Sequence, residues 1–243
     1  MFDHCFKVID NSSQIRYPEL GLKGVTQGLG IELASSSPHY WRTITDYLCK
    51  HIPTPTLIFI IKRMCSSYGA KKGTKNSQFA GRINDWIGQK RYAEFIKKFS
   101  VDDDSNIVVL PDGNRLESAC SFLRLYLSGT PGTKKRPGAL ETLDMTNTKN
   151  IPILAKRLEF ILSIWLFTMR NERAHGTSLS PFRTSKASIE RYESYYYSML
   201  AAYILSLGAL SISAPHLITE SEIEACCITN IQLQNDFFAK LKK

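Results

Sequence analysis

The chain has 243 residues, 43% of them hydrophobic and 11% aromatic, which is enough apolar content for a packed core and excludes a wholly disordered chain. A formal net charge of +9 points to an anionic partner, nucleic acid ahead of an anionic membrane surface. The length suits one large domain or a domain with a sizeable extension.

Residues 1–37 carry few signals. The glycine-rich stretch Gly21 to Gly30 lacks the Gly-Lys-Ser/Thr ending of a phosphate loop, so a flexible connection is expected there. Ser37-Pro38 reads as a helix start, with Tyr40, Trp41, Ile44, Tyr47 and Leu48 at helical spacing and Pro53 and Pro55 beyond its end. A second helix is predicted over Leu57–Tyr68, a basic loop over Gly69–Lys75, and a third helix over Gln78–Phe99. Asp102, Asp103 and Asp104 are adjacent on a break, a spacing of solvated turn formers rather than of metal ligands. Ile107–Leu110 is the one strand-like run, followed by Pro-Asp-Gly, and Leu116–Leu127 forms the next helix. Gly129–Gly138 holds two prolines, three glycines and Lys134-Lys135-Arg136, and predicts a mobile basic loop over 129–150.

The chain is organised around the run Leu154–Gly176. Leu154, Leu158, Ile161, Trp165 and Met169 recur at three and four residues, the buried stripe of an amphipathic helix. Its end changes abruptly to Arg170-Asn171-Glu172-Arg173-Ala174-His175, with Gly176 as a stop. Asn171 and His175, four apart, share a face of a continuing helix, and the long Arg170 side chain can swing towards it. The plainer reading of these cations is that they cap free carbonyls and complement the helix dipole. After a short connection, Thr184 or Ser185 starts a long helix with Ile189, Tyr192, Tyr196, Met199, Tyr203 and Leu207 in register. A final helix spans Ser221–Leu241.

Arg-Asn, three residues, His, then Gly, closing a long apolar helix and followed by another, resembles the HEPN superfamily of nucleotide-binding helical domains. The resemblance covers about Leu154 to Leu210. It implies an all-α bundle, here with an additional N-terminal helical region over 1–112, either separate or packed into the same domain, and the HEPN-like domain over 113–243. It further implies a metal-independent endoribonuclease in which Arg170, Asn171 and His175 are catalytic. Proteins similar to this are often toxins or antiviral defence effectors, with a composite site across a homodimer and, in some cases, a protein inhibitor or antitoxin. The Tyr that some members carry two residues after the His is Thr177 here, so the adenylylation scheme of that subgroup is not supported.

On that reading Lys134, Lys135, Arg136 and Arg173 contact the RNA backbone, and Arg170 offers a planar fork to the scissile phosphate. The alternative is a catalytically inactive module that binds RNA or a protein. No cofactor is expected. The six cysteines, at 5, 49, 65, 120, 226 and 227, form no Cys-x-x-Cys pair or zinc-type spacing and read as small buried hydrophobes of a reducing compartment. The first residues lack the layout of a secretory signal, and the longest apolar stretch, Met199–Ala214, is too short to cross a bilayer. A soluble, cytoplasmic protein without membrane association is therefore expected.

Overall fold

The computed structural model describes residues 28–102, 108–109, 111–174 and 188–242. In chain order the helices are α1 over 28–36, α2 (Pro38–Lys50), α3 (Thr54–Ser67), α4 (Lys75–Ile87), α5 (Gln89–Phe99) and α6 (Gly113–Ser128). They continue as α7 (Leu154–Glu159), a π-helical segment (Phe160–Leu166), α8 (Phe167–Ala174), α9 (Ile189–Ser213) and α10 (Glu220–Leu241). The protein is all-α. Its only strands among the described residues are β1 (Val101–Asp102) and β2 (Val108–Val109), an antiparallel pair with Val101 opposite Val109.

The chain divides into two compact units: residues 1–53 with 154–243, and Thr54–Ile153 inserted between them. This differs from the expected division at residue 112. Helix α6 belongs with α3, because Arg124 Nη2 donates to Thr54 Oγ1 at 2.9 Å and the two helices pack along their lengths.

In the discontinuous unit, α2 is buried through Trp41, Ile44 and Leu48 against α7, α9 and α10. Arg157, 4% exposed, pairs with Asp46 at 2.7 Å, and the Tyr197 hydroxyl donates to the Leu48 carbonyl at 2.8 Å. Gly28 and Gly30, expected in a flexible connection, begin α1, where a Cβ on Gly30 would lie 3.5 Å from the Ala155 carbonyl. Gly208 is stricter still. A Cβ there would run into the six-membered ring of Trp41, which is fully buried and has nowhere to retreat. Gly208→Ala should therefore lower stability by about 1–3 kcal/mol, the usual range for overpacking. A urea unfolding midpoint equal to that of the unaltered protein would show that α9 backs away instead.

The start of α10 carries a complete capping box, Thr219 with Glu222. Helix α9 is the one described helix long and apolar enough to cross a bilayer, yet its Ser194, Tyr197, Ala201, Ile204, Leu205 and Ala209 face is packed inside the unit.

In the inserted unit the single helix expected over 78–99 is broken in two. Gly88, at φ 84°, takes a backbone conformation that only glycine enters without strain, and it ends α4 and begins α5 in one step. Phe95, Phe99, Phe122 and Tyr126 then make an aromatic core between α5 and α6.

Candidate functional site

The motif helix is held by its apolar side. Trp165 is fully buried and stacks on Tyr197 with the rings 9° apart, while its indole N–H donates to Ser198 Oγ at 3.1 Å. Met169 sulfur lies 3.1 Å from the same nitrogen and 3.2 Å from Ser198 Oγ. The last apolar residue before the motif is thus pinned to α9.

The periodicity of the run from Leu154 predicts one continuous α-helix, but the structure breaks it with a π-helical segment. Phe160, Ile161, Leu162, Ser163, Ile164 and Trp165 are consecutive and all buried, and Phe160–Leu166 takes the wider π form. Its hydrogen bonds span one residue more than those of an α-helix; the Phe167 amide, for example, donates back to the Leu162 carbonyl. The face carried by α8 is therefore re-phased relative to any count at 100° per residue from Leu154.

Arg170 emerges exposed on α8, and its Nη1 donates to Asn171 Oδ1 at 3.0 Å. This contact places the guanidinium beside a side-chain amide, and its other donors have no partner among the described residues, an arrangement able to bind an oxyanion bidentately. Asn171 is half-buried. Arg173 lies on α8 by its backbone. His175, the Gly176 stop, the expected Thr184 or Ser185 cap and Asp103-Asp104 lie outside the described residues.

The expected free loop at 129–150 is instead tied down. Leu143 and Met145 are buried, the Gly132 amide donates to the Met145 carbonyl at 2.9 Å, and two 3₁₀ turns, Glu141–Leu143 and Thr148–Asn150, close the segment. Asn150 bridges the Glu141 and Asp144 carbonyls and accepts from Arg91. Glu94 accepts from both the amide and the hydroxyl of Thr142. Composition counted the glycines and cations of this segment but not its few anchors.

That packing also sorts its cations. Arg136 is spent on the Ser121 carbonyl at 3.0 Å and the Ser118 carbonyl at 3.5 Å. Lys135 pairs with Asp144 at 3.2 Å, and Asp144 is held below the usual carboxylate range chiefly by the Thr146 hydroxyl and also by Lys135. Lys134 alone of the three is exposed without a partner among the described residues. Lys98 joins the cluster, its ammonium donating to the Pro137 carbonyl at 3.0 Å, with its pKa lowered first by burial and then by Arg136.

A second feature of the discontinuous unit is a groove of about 1050 Å3 along α9 and α10, lined by Tyr192, Tyr196, Met199, Tyr203, Leu233 and Phe237. Tyr196, Met199, Tyr203, Leu233, Phe237 and Leu241 are 44–61% exposed along it, six of the ten large apolar side chains exposed among the described residues. Such a concentration exceeds the scattered apolar exposure of an ordinary surface.

Comparison with protein-family models, with curated proteins and with solved structures found no match to this chain.

Proposed function

We propose that the chain is a metal-independent endoribonuclease of HEPN-like type whose chemistry is carried by Arg170, Asn171 and His175. The observation that carries this reading is the exposed, Asn171-oriented guanidinium of Arg170 at the end of a buried helix, in the sequence order Arg-Asn-x3-His. Arg170 would bind the scissile phosphate and stabilise the charge that develops on it. His175 would exchange a proton near neutral pH. The 2′-hydroxyl of the RNA is the nucleophile, so cleavage leaves a 2′,3′-cyclic phosphate and a 5′-hydroxyl. Purified protein incubated with single-stranded RNA in excess EDTA should yield those two termini; binding without cleavage would favour the inactive RNA-binding alternative.

The same reading takes the active form to be a homodimer, since one Arg and one His offer few groups for two proton transfers. The α9–α10 groove supports a second copy as the partner. Helices of 25 and 22 residues, side by side, present a face of roughly 700 Å2 at ~1.5 Å rise per residue and ~10 Å spacing, near the ~800 Å2 per partner of a stable complex. Asp236 and Lys240 both line the groove, so an antiparallel meeting of two α10 helices pairs each with its opposite across the two-fold axis.

Leu233→Asp with Phe237→Asp should therefore convert a dimer to a monomer in sedimentation equilibrium. These side chains are exposed, so folding is left intact. If mixed Arg170→Ala and His175→Ala chains recover no activity beyond either parent, the composite site fails even where the dimer stands.

A further inference from the structure

The inserted unit holds 16 Lys and Arg against nine Asp and Glu, a net +7 of the chain's +9, in 100 of its 243 residues. Within it the charge is uneven again. Between Asp46 and Asp85 there is no acidic residue, and the hairpin of α3 and α4 carries Lys62, Arg63, Lys71, Lys72, Lys75 and Arg82. Gathering like charge costs stability through self-repulsion, so such a surface is expected where an anionic partner compensates it.

The hairpin presents these cations from a defined shape. Gly69 and Gly73, at φ 68° and 88°, turn the backbone, the Ala70 amide donates to the Ser67 carbonyl, and Thr74 Oγ1 donates to the Lys71 carbonyl at 2.8 Å. Thr74 also caps α4, accepting from the Ser77 amide at 3.2 Å, and no carboxylate occupies the first turn of that helix to neutralise its positive end. Behind the loop, the Arg63 and Arg82 guanidiniums sit 5.9 and 5.3 Å from the Phe79 ring, and Asn76 accepts from Arg63 at 3.1 Å. Burial, and then the charge of Arg63, push Arg82 down to about 10. Lys62, Lys71, Lys72 and Lys75 remain exposed with no partner among the described residues.

We propose that the α3–α4 hairpin is a nucleic-acid backbone-binding element, with Lys71, Lys72 and Lys75 neutralising successive phosphates and Arg63 and Arg82 lining the base of the same surface. An anionic membrane would need an apolar anchor beside the charge, and the only large apolar side chain exposed here among the described residues is Tyr68. That ring stands edge-on to Tyr92 at 5.1 Å and suits stacking of a base better than insertion into lipid. The proposal rests on the RNA reading only for the identity of the natural polymer.

The test uses the full chain and a 20-nucleotide oligothymidylate, which lacks the 2′-hydroxyl and is therefore bound without being cut. Binding is followed by fluorescence anisotropy as salt is raised. Replacing Lys71, Lys72 and Lys75 together with Ala should flatten the slope of log affinity against log salt by about 2 units, at roughly 0.7 per single-strand phosphate. Between 50 and 200 mM salt the unaltered protein then loses roughly 16-fold more affinity than the variant. Replacing all three with Arg should keep the original slope. An unchanged slope in the Ala variant overturns the proposal, as does binding to vesicles rich in anionic lipid with none to the oligonucleotide. Loss of RNA cleavage can be scored separately. A flattened slope in a protein whose cleavage ignores His175 refutes the catalytic reading alone, whereas normal His175-dependent cleavage with an unchanged slope refutes the hairpin alone.

Discussion

His175→Ala is expected to slow RNA cleavage at least ~10²-fold, the lower range for losing a general acid or base, while cleavage by the unaltered protein persists in excess EDTA. An imidazole with an ordinary pKa near 6.5 is the one group of the motif that can both accept and return a proton at neutral pH. The Arg170 guanidinium offers donors and no acceptor, so its part is to bind and stabilise. The two substitutions should accordingly differ in character. On the proposed reading, Arg170→Ala should weaken phosphate binding and slow the chemical step together, whereas His175→Ala should spare substrate affinity and flatten the pH–rate profile near the imidazole pKa. Full activity of a folded His175→Ala protein would remove His175 from the chemistry.

The second large effect is on stability. Trp165→Ala should cost about 3–5 kcal/mol, the range for emptying a fully buried indole site. The lost ring leaves one face of Tyr197 uncovered, and Ser198 and Met169 lose their shared indole donor. Trp165→Phe separates these contributions. It keeps most of the packing and the stack, and Ser198 Oγ still donates to the Ser194 carbonyl at 2.7 Å, so a much smaller loss is expected in chemical denaturation. Because Met169 is fixed by this cluster one residue before Arg170, Trp165→Ala should also depress cleavage at temperatures where the protein remains folded. Equal losses from Ala and Phe would place the contribution in the indole N–H rather than in its volume.

These sites show where sequence reasoning runs well and where physics takes it elsewhere. The stripe Leu158, Ile161 and Trp165 is buried as its spacing requires. Phe160 and Ile164 are buried too, because every residue from Phe160 to Trp165 is enclosed, and a one-sided helical count has no place for them. Gly88 was hidden inside a good helical pattern, since a lone glycine is tolerated there and only its backbone angle reveals the break.

At 129–150 the abundant Gly, Pro and Lys outweigh three anchors, Leu143, Met145 and Asn150, in any count of composition. The division of the chain was illegible for a different reason. Local signals cannot show that α2 seeks α9 rather than its neighbour α3. For the candidate site, the sequence supplied the Arg170–Asn171 pair, and the structure adds their 3.0 Å contact and the exposure of Arg170.

The discontinuity of the first unit has a consequence for synthesis. The Tyr197 hydroxyl and the Leu48 carbonyl it bonds are 149 positions apart, so α2 leaves the ribosome long before its partner exists. At about 5–20 residues per second that interval is roughly 7–30 s, during which Trp41, Ile44 and Leu48 have no completed core to enter. The inserted unit, contiguous in sequence, can close in the meantime. The nascent protein is thus a finished basic module trailing an uncovered apolar helix, the species on which chaperone capture or aggregation would act.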